Sequence, residues 1–234
     1  MIYNKLKSIQ EWLFPGICLL CDARIPSDKD FCSECEASLP RLTAGCLQCA
    51  APTALSDAAI HRCGQCQKRP PVFSRTRALF RYEPPIDQLM QGLKYHGKLD
   101  IARLLGIRLA RFLAVQEGLD SELIVPVPLH PTRLRSRGYN QSLELARPVA
   151  KHLGISLDAR CVQRVRSTPP QTHLPPKERQ RNVRGAFAAT NSVKGRRVAV
   201  IDDVMTTGHT VNALARCLRQ AGAKNIEVWV VARA

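Results

Sequence analysis

The sequence predicts an α/β fold, a mostly parallel twisted sheet with helices on both faces, preceded by a small cysteine-rich module. Three observations carry this. After Pro70 and Pro71, apolar runs of strand length alternate with stretches of helical period. Before that point the chain has little hydrophobic periodicity and holds all four of its CxxC pairs. Late in the chain, the β-branched run from Arg197 to Ile201 passes through one short turn into a helical pattern, as a strand-to-helix unit of a parallel sheet should. The boundary is placed near Pro70, giving a module over residues 1–70 and an α/β domain over residues 71–234.

Within the module, Ile2, Leu6, Ile9 and Leu13 share one helical face. Residues 2–13 are therefore expected to form a short amphipathic helix that ends before Pro15, with that face packed on the protein's own core. A helix lying on a membrane surface would have only Lys5 and Lys7 for its basic side. In the second part the patterns predict a strand over 76–82, helices over 85–95 and 100–116, and a strand over 123–127. They continue with a helix over 141–153, a strand over 160–165, a strand over 198–201, a helix over 209–221 and a strand over 226–230. Residues 167–182 carry four prolines and no apolar period, so they are expected to form a long functional or solvated loop.

With 234 residues, 45% of them hydrophobic, the chain can bury a core. No run approaches the roughly 20 consecutive apolar residues of a membrane span, and the first residues lack the apolar block of a secretory signal. A cytoplasmic protein is expected. Lys and Arg outnumber Asp and Glu by 35 to 19, and the resulting +16 favours anionic partners, nucleic acid or polyphosphate. Aromatics are sparse at 5%, so platforms for stacking single-stranded bases would have to be few.

Ten cysteines in a reducing compartment point to metal rather than disulfides. Cys18 and Cys21 precede Cys32 and Cys35 by ten residues; Cys46 and Cys49 precede Cys63 and Cys66 by thirteen. Each set can supply four thiolates to a tetrahedral Zn²⁺, so two structural Zn²⁺ are expected. A redox CxxC would sit at a helix start in a βαβ unit, which none of the four does. The spacing leaves sequential and interleaved pairing open, and His61 could replace one cysteine. Cys161 and Cys217 fall in strand and helix patterns and are assigned to the core. The module can be a binding surface for protein or nucleic acid, or a structural cap.

The turn after the strand reads DDVMTTGHT, residues 202–210. A turn that opens a helix offers unpaired backbone N–H groups and the positive end of the helix dipole. Thr206, Thr207 and Thr210 add hydroxyls, and Gly208 permits close approach of an anion. Asp202 and Asp203 would repel a phosphate, but at the strand end they can accept hydrogen bonds from ribose hydroxyls or hold Mg²⁺. Together these residues suggest a sugar phosphate as ligand. In the competing reading the acids and Thr206 only cap a helix.

VAVIDDVMTTGHT, residues 198–210, resembles the motif by which type I phosphoribosyltransferases bind phosphoribosyl pyrophosphate (PRPP). It departs at His209, where a small residue is common. The resemblance implies the type I phosphoribosyltransferase fold. It implies that Asp202 and Asp203 contact the ribose hydroxyls and act in catalysis, and that Met205, Thr206, Thr207, Gly208, His209 and Thr210 hold the 5′-phosphate. It further places the pyrophosphate near the strand end at Pro128 and Leu129, with Arg133, Arg135 and Arg137 close behind. Arginine forks suit phosphate oxygens, although such a run can also be a solvated turn. Tyr139, Asn140 and Gln141 can contact the ligand or begin the next helix. The proline-rich loop, with Lys177 and Arg181, corresponds in position to a loop that closes over PRPP. The implied reaction is Mg²⁺-dependent pentosyl transfer, a glycosyltransferase chemistry of nucleoside metabolism. No general base stands out, though His96 and His130 are candidates.

With the cysteine pairs, LKYHGK at 93–98, VPVPLHPTRLRSRGYNQS at 125–142 and RNVRGAF at 181–187, the chain resembles the ComF family over almost its whole length. That family joins a zinc finger to a phosphoribosyltransferase domain and is associated with DNA uptake. The resemblance implies either a phosphoribosyltransferase of unknown acceptor, or a non-catalytic protein that binds single-stranded DNA and uses the fold as a PRPP sensor. Single-stranded DNA and other DNA-uptake or recombination proteins are the implied partners.

Overall fold

The computed structural model describes residues 16–53, 62–166 and 185–234. The helix expected over 2–13, His61 and most of the proline-rich loop, with Lys177 and Arg181, lie outside the described residues. The chain divides into two compact units between Pro40 and Arg41.

In the first unit, β1 (Gly16–Ile17) pairs antiparallel with β2 (Arg24–Ile25), and a short α1 (Ser33–Ala37) follows. Cys18, Ile25 and Phe31 are its buried residues of note, too few for a hydrophobic core of useful size.

In the second unit, α2 (Gly64–Lys68) belongs to the second cysteine set, and β3 (Arg75–Arg81), α3 (Ile86–Tyr95) and α4 (Leu99–Ala114) follow. Next come β4 (Leu123–Pro126), α5 (Pro131–Arg137), α6 (Gln141–Leu153) and β5 (Ser156–Leu157). The chain ends through β6 (Val162–Arg164), β7 (Phe187–Ala189), β8 (Arg197–Met205), α7 (His209–Gln220) and β9 (Asn225–Arg233). The main sheet has the order β3-β9-β8-β4-β5, and every pair in it is parallel. Helices cover both faces, so the central strands are apolar in both directions: Val198, Ala199, Val200 and Ile201 are all buried.

On one face, Val198, Val200 and Val228 pack with Leu214 and Leu218 of α7 in a core cluster. On the other, α4 packs on α6, and their separation is set by Gly106. A Cβ there would lie 2.4 Å from Pro148 Cγ and 2.7 Å from Leu145 O. Across β3 and β9, buried Arg77 pairs with Glu227 at 3.0 Å, and Trp229 Nε1 donates to the same carboxylate at 3.1 Å.

The expected strand over 160–165 needs correction. Only Val162–Arg164 is extended, and it pairs antiparallel with β7 outside the main sheet. The sheet edge is taken by β5 instead. Asp158 is the physical cause: its Oδ1 accepts from the amides of Arg160 at 2.8 Å and Cys161 at 3.0 Å, a side-chain turn that diverts the chain from the sheet. Helix α5 was not anticipated, because TRLRS has no apolar period. His130 caps it, Pro131 opens it, and left-handed Gly138 (φ +84°) ends it.

Candidate functional site

The long strand β8 carries Asp202 and Asp203 to the carboxyl end of the sheet, where both are buried, at 9% and 4% exposure. Two other parts of the chain converge on them, and the strand's own amides add to these contacts. Ser142, in the first turn of α6, donates from Oγ to Asp202 Oδ1 at 2.9 Å. Lys94, in the last turn of α3, places Nζ 2.7 Å from Asp203 Oδ2. The amides of Asp203 and Val204 donate to Asp202 Oδ1 and Asp203 Oδ1 at 3.0 and 2.7 Å.

These contacts set the electrostatics. Burial, and then the neighbouring charge of Asp203, push Asp202 up to about 7 against the opposing effects of Ser142 and Lys94. Lys94 behaves oppositely: burial works against its charge, but the carboxylate of Asp203 outweighs burial and raises its pKa. The site is therefore a charged lysine facing two crowded acids, one of which retains its proton towards neutrality.

The segment 139–142 leads into α6 and ties it to its neighbours. Asn140 caps α6, its side chain accepting from Ser142 N at 3.0 Å, while its amide group donates to Val127 O at 3.1 Å. Tyr139 donates its hydroxyl to Leu93 O, beside Lys94. Gln141 accepts from Arg137 Nη1 at 2.5 Å. Tyr139 thus ties the start of α6 to α3, Asn140 ties it to the end of β4, and Gln141 ties it to α5.

Met205 ends β8, and Thr206, Thr207, Gly208, His209 and Thr210 form the turn into α7. Gly208 has φ +73°, the left-handed conformation that favours glycine, and this bend reverses the chain into the helix. Thr206 and Thr207 are exposed, and Thr207 Oγ1 lies 3.1 Å from His209 Nδ1. The six residues thus sit together at a helix N-terminus immediately after the two acids.

Pro128 and Leu129 are half-buried in the loop after β4. Arg133 and Arg137 are half-buried on α5, and Arg135 is exposed. A further residue, Arg164 on β6, was not singled out from sequence. Burial, and then the positive charge of Arg133, lower its pKa, while the charge of Asp202 works the other way. Its guanidinium lies 5.6 Å from the ring centroid of Phe187. Lys94 and Ser142 reach the acids from distant parts of the chain, and only the fold reveals these contacts.

The metal-ligating residues gather in two sequential sets, Cys18, Cys21, Cys32 and Cys35, then Cys46, Cys49, Cys63 and Cys66. Within each set the four sulfurs lie within 4.8 Å of one another. In each set the first cysteine is the acidic one. Burial opposes the Cys18 thiolate, but the amides of Cys32, Leu20 and Cys21 bring it down to about 6. Cys46 is brought to about 6 in the same way, burial again being outweighed by the amides of Cys63, Cys49 and Gln48. Hydrogen bonding with Cys32 raises Cys35, and burial raises Cys66. Four sulfurs this close cannot all ionise without a cation between them, and a thiolate set of this kind suits Zn²⁺.

Comparison with known proteins agrees with this arrangement. Residues 9–67 match the double zinc ribbon domain and residues 140–234 the phosphoribosyl transferase domain. The chain is 35% identical over 226 residues to DNA utilization protein YhgH of Salmonella typhimurium, covering 94% of this chain and 97% of that protein. The chain belongs to the ComF family. Other relatives are Competence protein F of Haemophilus influenzae, 36% identical over 74% of this chain and 78% of that protein, and Competence protein ComFC of Streptococcus pneumoniae, 25% identical over 78% and 80%. In this ComF chain the parallel sheet is that of the type I phosphoribosyltransferases, and the two four-cysteine sets are its zinc ribbons. Among its described residues, no helix is long and apolar enough to cross a membrane.

Proposed function

We propose that this ComF protein binds PRPP with Mg²⁺ at the carboxyl end of β8 and transfers the phosphoribosyl group to an acceptor. The observation that carries this reading is that two buried carboxylates, Asp202 and Asp203, stand on the strand that turns through Gly208 into α7. Carboxylates accept hydrogen bonds from ribose hydroxyls, and the helix start takes the 5′-phosphate. Ser142 and Lys94 hold the two acids in position for this. Arg133, Arg135, Arg137 and Arg164, with the backbone at Pro128 and Leu129, supply the cationic surroundings that a pyrophosphate needs. Lys177 and Arg181, outside the described residues, are assigned the same role from the sequence alone.

In the reaction the C1–O bond to pyrophosphate breaks, its electron pair leaving with the pyrophosphate, and the acceptor's lone pair forms the new bond to C1. The positive charge that develops on the ribose is stabilised by the two carboxylates. Their oxygens also suit Mg²⁺, which when bound neutralises the pyrophosphate. Calorimetry with Mg²⁺ and PRPP tests the binding, and pyrophosphate release during a screen of bases and other nucleophiles tests the transfer.

One observation favours a second reading, in which the fold senses PRPP without turning it over: each acid already has a protein partner, Ser142 or Lys94. Absence of pyrophosphate release with any acceptor, alongside saturable PRPP binding, would select it. The relatives named for DNA utilization and competence support a role in handling DNA, and we place that role in the cytoplasm. Single-stranded DNA and DNA-uptake or recombination proteins are the partners, and the charge of +16 suits the former. In this scheme residues 1–70 are the zinc-binding part and residues 71–234 the PRPP-binding part.

A further inference from the structure

The second four-cysteine set lies in the same compact unit as the sheet, and its knuckle is wired to the turn between β8 and α7. Two separate connections make the join. In the first, Arg233 at the end of β9, 8% exposed, donates from Nε to Cys49 O at 2.8 Å and from Nη1 to Met205 O at 3.0 Å. The same Nη1 also donates to Thr206 O. In the second, buried Gln48, inside the Cys46–Cys49 turn, donates to Phe73 O at 3.0 Å and Pro71 O at 3.2 Å. Between those residues, Val72 N donates to Asn212 Oδ1 of α7 at 2.9 Å, and Asn212 N closes the first helical turn on Gly208 O at 2.9 Å. A cleft of about 280 Å³ lies between knuckle and turn, lined among others by Cys66, Thr207 and Arg233.

The consequence follows from peptide geometry. In a trans peptide the C=O and the following N–H point in opposite directions. With the carbonyls of Met205 and Thr206 fixed on the guanidinium, and Met205 O also accepting from Ala234 N at 3.1 Å, the amides of Thr206 and Thr207 face away from Arg233. A carbonyl turned the other way would present partial negative charge to a bound anion, so the orientation of these two peptides decides whether the turn attracts a phosphate. The guanidinium is held in turn by Cys49 O, and the Cys49 backbone is set by its sulfur's place among the four ligands.

We propose that Arg233 is a positioning residue through which the metal-loaded second knuckle keeps the 205–210 turn in its phosphate-binding form. This rests on the reading of that turn as the 5′-phosphate site. Zinc at the second set and a sugar phosphate at the turn then strengthen one another's binding by the same factor, as linkage requires.

The test uses ribose 5-phosphate and the full chain. Calorimetry should show binding to the wild type and affinity lower by about tenfold or more in Arg233→Lys, which keeps the charge but loses the fork. A second arm measures zinc affinity by chelator competition in Cys18→Ser/Cys21→Ser, where only the second set retains metal. Saturating ribose 5-phosphate should raise that affinity by about 5-fold or more. Wild-type affinity in Arg233→Lys, or zinc affinity indifferent to ribose 5-phosphate, overturns the coupling while leaving the phosphate site standing. If the wild type binds no ribose 5-phosphate, the phosphate site itself fails and the coupling with it. Should Arg233→Lys not fold, the zinc arm decides alone.

Discussion

Lys94 Nζ lies 2.7 Å from Asp203 Oδ2, so the last turn of α3 is pinned to the end of β8 by a largely buried ion pair. Removing the lysine leaves a carboxylate at 5% side-chain exposure without its cation. Lys94→Met is predicted to lower stability by about 1–3 kcal/mol, the discount reflecting the part of Lys94 that meets water. Urea unfolding of the two proteins measures this; an unchanged midpoint would mean that the pair contributes nothing.

Asp202 makes stability depend on pH in a defined direction. Its value is 3.8 when unperturbed and about 7 in the fold, so between these pH values the folded state holds a proton that the unfolded chain has lost. Stability from this group is full below about pH 4, declines as pH rises towards 7, and is flat above. Asp202→Asn is predicted to remove a decline on the order of 2–4 kcal/mol between pH 4.5 and 7.5, read from urea curves at several pH values. An equal decline in wild type and variant would place the titration elsewhere.

The contact between α4 and α6 depends on a missing side chain. Gly106→Ala gains helix propensity of roughly 1 kcal/mol but puts a methyl 2.4 Å from Pro148 Cγ and 2.7 Å from a backbone oxygen. The variant is predicted to lose about 1–3 kcal/mol net, because the carbonyl cannot move aside without shifting α6. Adding Pro148→Ala should recover part of the loss. Thermal unfolding of the single and double variants reads both effects, and a stabilised Gly106→Ala would contradict the packing account.

Metal content separates the two ribbons. Purified without chelator, the protein should carry two zinc ions per chain, and Cys18→Ser/Cys21→Ser should carry one. The remaining ion belongs to a knuckle whose Ala50 and Cys49 pack with the main core, so stripping it should also lower the melting temperature of the sheet domain. Unchanged melting after complete metal removal would show that the knuckle does not support the core.

How much of this could be read in advance followed from distance along the chain. The strand from Arg197, the two acids, the glycine turn and α7 are consecutive, so their pattern was legible, as were the two cysteine sets with their fixed spacings. Lys94 and Ser142 contact the acids, and Arg233 the carbonyls after them, from separate elements, and nothing local to any of them marks these contacts. Gln48 lies between two cysteines, and only the fold shows it as a buried joint to Phe73. The strand expected over 160–165 forms at Val162–Arg164 but in a separate two-stranded sheet, because the side chain of Asp158 turns the chain before it can join the main sheet. His130 supplied a helix cap where only a basic run was visible.

The central claim, that Asp202 and Asp203 form a PRPP site with the turn after them, is tested most directly by titrating PRPP with Mg²⁺ into the wild type and into Asp202→Asn/Asp203→Asn. The account predicts saturable binding of one PRPP per chain in the wild type and its loss in a double variant that still folds. Equal affinity in the two proteins, or no binding to the wild type, would contradict it.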